Sequence, residues 1–432
     1  MQARTIYQIY PLGFTGAYPK NPTHLTDLMA NDLQKTLFGA QPIYAKNKTI
    51  AFRQLTAWLP YIKKFGATDI LLNPIFESVS HGYDTLNYYL IDKRLGTNAE
   101  FAKFVKKTHE FGLQVILDGV FNHVSNEFPL FQKALKGDEQ AKAFFQWQDM
   151  DALTPQYFEN QHELIQLNHE NEDVQKYTID IINYWLEQGV DGFRFDAAYA
   201  MNQNALGKII NELKRHEKSA KFYFGEVIHG DYVEFCENTY LDSLTQYELW
   251  KAVYSSINDK NFFELAWTIE RQNAFLDYFI PQTFISNHDV SRLNTVITEK
   301  QHLKHAIVAL FTLPGIPSVY AGDEFGATGE KIEDYHGDDC IRPQFPLSPP
   351  DDSSLKTAQL YEFYVSLIAF RTQNPWIQSA ETKVLHKSNE IIVYETRNLQ
   401  NSLTVCLNLS DETVNLHGIT AEPHGYSLTL ND

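Results

Sequence analysis

Apolar runs in this chain end on a carboxylate at four places: Asp118 in ILDGVFNHV, Asp196 in FRFDAA, Glu226 in FYFGEVI and Asp289 in FISNHD. His123, Arg194 and His288 accompany them. One carboxylate after a strand-like run reads first as a helix cap or as half of a buried ion pair. A set at equivalent places is hard to explain as caps, and convergent ionisable groups suit a reaction needing acid, base and charge stabilisation. Carboxylates without metal-ligand spacing suit cleavage of a glycosidic bond, one attacking and another serving as acid and base. Arg194 shares a strand face with Asp196 and is expected to hold that carboxylate ionised for attack. Glu226 stands among Phe224, Val227 and Ile228 and is expected to be desolvated and to keep a proton.

Other chemistries lack their residues. The chain has no GxxxxGK[ST] phosphate loop, no GxSxG elbow and no HExxH zinc motif. Its formal charge of −18 argues against a nucleic-acid partner. Cys236, Cys340 and Cys406 stand apart, which suits a reducing compartment. No run nears the roughly 18 apolar residues of a membrane span. The N-terminal MQARTIYQIYPLGF has no apolar leader core, so a cytoplasmic protein away from membranes is expected.

The elements that must position these residues alternate. Candidate strands cover 5–11, 68–74, 114–120, 189–195, 221–227, 241–248, 282–289 and 316–322. Helical spacing marks FRQLTAWLPYIKKFG, EFAKFVKKTHEFG and DVQKYTIDIINYWLEQG, each ending at a glycine. Eight strands alternating with helices predict an α/β fold, a (β/α)₈ barrel whose strand C-termini carry the site. An open doubly wound sheet is the alternative. Residues 124–171 break the rhythm and read as an inserted subdomain. After residue 374 short alternating segments read as an antiparallel β domain. The expected division is therefore a barrel over 1–123 and 172–374, an insert over 124–171 and a β domain over 375–432. Trp58, Trp185 and Phe311 lie on helix faces and read as core. Phe144, Phe145, Trp147, Tyr157 and Phe158 cluster in the insert, and some are candidates to line a sugar subsite.

With these residues the sequence strongly resembles the α-amylase family of glycoside hydrolases (glycoside hydrolase family 13), barrels with an inserted B domain and a C-terminal β domain. DGVFNH (118–123), GFRFDAA (192–198), FGEVI (224–228) and ISNHD (285–289) are similar to that family's motif regions, in family order. HGYDTLNYYLIDKRLGT (81–97), LIQLNHENEDV (164–174) and GIPSVYAGDEFG (315–326) are similar to its auxiliary segments. The resemblance implies Asp196 as nucleophile, Glu226 as general acid/base and Asp289 as stabiliser of the distorted sugar. Retention through a glycosyl–enzyme intermediate would follow. It implies Tyr83 stacking on the sugar at the cleavage point, with Asp84, His123, Arg194 and His288 as binding residues and Asp118 in support. The same analogy places GDDCIRP (337–343) near the non-reducing-end subsites. Asp339 and Arg342 there are either sugar contacts or an ion pair with each other.

Some residues depart from the family pattern. Tyr199-Ala200 stands where many secreted members have Lys-His, which weakens the case for their calcium site and acceptor-side contacts. Asn122 matches a family calcium ligand, so a structural calcium stays open, while no cofactor is required for the expected reaction. HGYDT and SNHD are closest in flavour to the neopullulanase, cyclomaltodextrinase and maltogenic amylase branch. Tyr7 comes too early for the N-terminal domain usual in that branch. The expected activity is retaining hydrolysis of α-1,4 bonds in maltodextrins, with an α-glucan oligosaccharide as partner. An oligo-1,6-glucosidase, a sucrose-active enzyme or a transglycosylase is the alternative. A non-catalytic sugar-binding protein recedes because Asp196, Glu226 and Asp289 are all present.

Overall fold

The structure is a computed structural model and describes residues 3–17, 23–39, 42–45, 50–216, 220–333 and 337–431. Eight short strands form one parallel sheet: β1 (Ile6–Ile9), β2 (Asp69–Leu72), β3 (Gln114–Gly119), β4 (Gly192–Phe195), β5 (Phe222–Gly225), β6 (Ser243–Leu244), β7 (Gln282–Phe284) and β8 (Ile316–Tyr320). The order is β6-β5-β4-β3-β2-β1-β8-β7. An isolated parallel bridge between Thr245 and Gln282 brings β6 beside β7, so the barrel is nearly closed and the open-sheet alternative falls. Each strand lies within its expected segment and is shorter, because pairing stops where the chain turns toward a helix.

Alternation along the strands explains both the core and the site. Ile6, Leu71, Ile116, Phe222, Phe224 and Ile316 pack together inside the barrel. Their neighbours Tyr7, Ile70, Leu72, Val115, Leu117, Phe193 and Tyr223 join the larger core under the helices. Moving two residues along from the inner set leads to Gln8, Asn73, Asp118 and Glu226, and from Gly192 to Arg194 and Asp196. The polar ring is thus the next layer of the same inward register. Gly192 fits because a Cβ there would meet the Phe222 carbonyl oxygen at 2.1 Å.

The three expected helices form over Ala51–Phe65, Asn98–Glu110 and Glu172–Glu187. Gly66 ends the first in the left-handed region, at φ 101°. Thr97 and Glu100 make a capping box at the start of the second, and Asn171 caps the third. Trp58, Trp185 and Phe311 are fully buried.

Between β3 and the helix Glu172–Glu187 the insert holds small elements. His123–Ser125 pairs antiparallel with Leu164–Gln166, and Trp147–Asp149 pairs with Thr154–Pro155. At the C-terminus β9 (Glu381–Lys387), β10 (Ile391–Arg397), β11 (Ser402–Asn408) and β12 (Tyr426–Asn431) form an antiparallel sheet. A further hairpin, Val414–Leu416 with Ile419–Ala421, was not foreshadowed by the alternation. The sheet is fastened to the helix Leu303–Thr312: Thr312 Oγ1 lies 2.6 Å from the Tyr394 hydroxyl, and His305 Nε2 lies 2.8 Å from the Gly425 carbonyl oxygen.

Candidate active site

Arg194 is the hub. It projects inward from β4, paired in register with Asp118 of β3 and Phe224 of β5. Its Nη1 donates to both Asp118 oxygens at 2.7 and 2.8 Å and to Asp196 Oδ1 at 3.2 Å. Its Nη2 meets Glu226 Oε1 at 2.8 Å, and Asp289 Oδ2 lies 4.0 Å away. One guanidinium is thus divided among the carboxylates, and Asp118 takes the shortest bonds.

Charge follows from that sharing. Burial pushes the Asp196 carboxyl well above its ordinary value; Arg194 opposes this, while Glu226, Asp118 and Asp289 add to it by like-charge repulsion. Arg194 is thus the contribution that favours the ionised Asp196 needed for attack.

Glu226 does not sit in the apolar pocket its neighbours suggested. Phe224 points into the barrel core and Ile228 lies open on the cleft wall. The carboxylate accepts instead from Arg194, from the Ala197 backbone N–H at 3.0 Å on Oε2 and from the Tyr247 hydroxyl at 3.0 Å on Oε1. Ala197 has φ 45° and ψ 37°, left-handed backbone that alanine adopts at a cost. The turn it makes directly after Asp196 aims its N–H at Glu226.

Asp289 lies across the cleft. His288 Nε2 meets its Oδ2 at 2.9 Å and Arg342 Nη2 its Oδ1 at 2.8 Å. Burial works against the charge there, but His288, Arg342 and Arg194 together hold the Asp289 carboxyl well below the usual range. Gln8 Nε2 donates to His288 Nδ1 at 2.8 Å, which leaves the ring proton on Nε2, facing Asp289. The Tyr83 hydroxyl lies between His288 Nε2 and Asp118 Oδ2, with its ring stacked 5.7 Å from His288. Asn73 Nδ2 donates to Asp118 Oδ2 at 2.9 Å.

These groups surround a cleft of about 730 Å³. Tyr83, His123, Asp196, Glu226, Asp289, Asp339 and Arg342 line it; Arg194 and His288 lie beneath its floor. Asp84 is buried and does not reach the wall, because it turns back to accept from the Ser80 N–H at 2.8 Å and hydroxyl at 2.6 Å. Its loop carries Tyr83 into place. Burial pushes His123 down to about 3, so its ring is neutral; it stacks 4.5 Å from Phe158. Of the insert aromatics only Phe158 lines the cleft; Phe144, Phe145, Trp147 and Tyr157 pack with the core. Arg342 meets Asp338, at 2.7 Å, rather than Asp339. Asp339 is a separate part of the wall.

Tyr247, Asn73, Gln8 and Asp338 were missed by sequence reasoning. Gln8 and Asn73 obey the same alternation as the carboxylates, so the signal was there. Tyr247 opens the helix Tyr247–Asn258 and Asp338 stands on a turn, where no strand period marks a direction.

Asn122 Nδ2 faces His123 Nδ1 at 3.2 Å. Among the described residues no group of three or more His, Cys, Asp or Glu side chains could hold a metal ion. Among the described residues no helix is long and apolar enough to cross a membrane.

Comparison with known proteins decides the family, since the model for the α-amylase catalytic domain matches residues 51–345. The chain belongs to the α-amylase family. Relatives of this α-amylase-family enzyme include a 4-alpha-glucanotransferase of Thermotoga maritima, 28% identical over 427 residues, covering 86% of this chain and 94% of the relative. A cyclomaltodextrinase of Thermoanaerobacter pseudethanolicus is 26% identical over 424 residues, covering 94% of this chain and 70% of the relative. Among solved structures, the cyclic alpha-maltosyl-(1→6)-maltose hydrolase of Arthrobacter globiformis, complexed with that cyclic sugar, has a TM-score of 0.81 at 21% identity over the whole of both chains. That likeness establishes the fold.

Proposed function

We propose that this α-amylase-family enzyme is a retaining hydrolase of α-1,4 glucosidic bonds in maltodextrins. The observation that carries the reading is the single Arg194 guanidinium reaching both Asp196 and Glu226. Sharing one guanidinium gathers both carboxyl groups at the same point of the cleft, which supports a pair acting together as nucleophile and acid/base. Asp196 attacks the anomeric carbon; the bond to the leaving oxygen breaks as Glu226 protonates it. Glu226 then takes a proton from water, whose oxygen attacks the same carbon and releases Asp196. Asp289, ionised and fixed by Arg342 and His288, faces the positive charge that develops on the sugar. Tyr83 offers a ring face to the sugar, and neutral His123 offers a hydroxyl partner. This chemistry needs no cofactor.

A second reading, transfer to another glucan, has its own support: the glucanotransferase relative is matched over 94% of its length. In that case a sugar hydroxyl replaces water in the second step. Chromatography of products from maltoheptaose separates the two. Glucose and maltose without longer chains are expected; products longer than the substrate would favour transfer. Intact maltoheptaose with cleavage of isomaltose or sucrose would overturn the proposal.

A further inference from the structure

Asp289 is the least enclosed of the proposed catalytic carboxylates, its side chain 28% exposed against 9% for Asp196 and Glu226. A partly open side chain keeps rotamer freedom unless something fixes it. Arg342 is itself fixed. Its Nε donates to the His288 carbonyl oxygen at 2.9 Å, and its guanidinium lies 4.6 Å over the Tyr10 ring. One nitrogen, Nη2, then bridges Asp289 Oδ1 at 2.8 Å and Asp338 Oδ2 at 2.7 Å. A planar donor held on three sides is suited to hold a carboxylate in one orientation. It is poorly suited to follow an incoming sugar.

We propose that Arg342 is a positioning residue for Asp289, anchored on its far side by Asp338, rather than a contact to a remote glucose unit. The inference rests on the reading of Asp289 as the stabilising carboxylate. Without the arginine, Asp289 keeps His288 at 2.9 Å and Asp338 keeps Lys331 at 3.5 Å, but the two carboxylates face each other as like charges without their shared donor, and Asp289 is freer to turn from the cleavage point. The loss is the same for every substrate, because each one places a sugar against Asp289.

The test compares maltoheptaose with α-glucosyl fluoride, whose only sugar occupies the cleavage point. Arg342→Met is expected to lower kcat about 100-fold on both, with KM little changed. Arg342→Lys, which keeps the charge but not the fork, is expected to lose about tenfold on both. Adding Asp338→Asn to Arg342→Met is expected to restore about tenfold, because the unbridged like charge is gone. If Arg342→Met fails to fold, the Lys variant on the two substrates decides alone. Losses confined to maltoheptaose and appearing in KM, or no recovery in the double variant, would overturn the positioning role. A parent enzyme inactive on both substrates would overturn the reading of Asp289 and the clamp together, whereas an active parent isolates the clamp.

Discussion

Glu226 is held by donors from β4, from the turn after it and from the start of the helix Tyr247–Asn258. The Tyr247 hydroxyl is one of them, itself accepting from Asn287 Nδ2 at 3.1 Å. A hydrogen bond to a charged group is worth about 1.5–3 kcal/mol. Tyr247→Phe is therefore expected to lower kcat about ten- to hundredfold on maltoheptaose while leaving KM nearly unchanged, in steady-state kinetics. Unchanged kcat would remove Tyr247 from the account. At this scale the sequence was informative where periodicity applies. Asp118, Arg194, Asp196 and Glu226 continue an inward register that the apolar residues before them establish. It was silent on how one arginine divides its bonds, since that depends on neighbouring strands rather than on spacing. The left-handed turn at Ala197 was equally hidden, because alanine gives no signal for positive φ.

The strands and helices were legible because parallel barrel strands are buried on both faces and helices carry one apolar face. What alternation cannot show is how elements are joined through buried polar groups. Glu324, after β8, accepts from the Tyr7 hydroxyl of β1 at 2.5 Å and from the Tyr61 hydroxyl of the helix Ala51–Phe65 at 2.8 Å. Burial pushes its carboxyl up to about 7, although both tyrosine donors pull the other way. A folded-state value above the unfolded one means that the folded chain binds more protons between the two. The stabilising contribution is full below the ordinary Glu range and is lost as pH rises through about 7. Denaturant titrations should show the parent losing about 3 kcal/mol across that window relative to Glu324→Gln. Parallel pH profiles for the two proteins would contradict this. The insert was the least legible element. Some of its aromatics were candidate sugar platforms, yet Phe144, Phe145, Trp147 and Tyr157 pack with the main core, and of these five only Phe158 reaches the cleft.

Across the whole molecule the barrel and the C-terminal sheet share apolar packing. Tyr394, Leu403, Val405, Leu407 and Leu409 belong to the same cluster as the barrel helices. Thr396 Oγ1 donates to the Thr312 carbonyl oxygen at 3.0 Å, and Asn273 Nδ2 to that of Thr382 at 2.7 Å. Separating the two parts would expose this surface, so calorimetry is expected to record one unfolding transition for the chain. Two resolved transitions would show that the sheet folds by itself. The central claim, that Asp196 forms a bond to sugar, is tested most directly by trapping. A 5-fluoro-α-glucosyl fluoride slows release of the intermediate, and mass spectrometry of the digested protein locates the adduct. The account predicts a glycosyl group on the peptide that carries Asp196 and nowhere else; an adduct on Glu226 or Asp289, or turnover of the reagent with no adduct on any peptide, would contradict it.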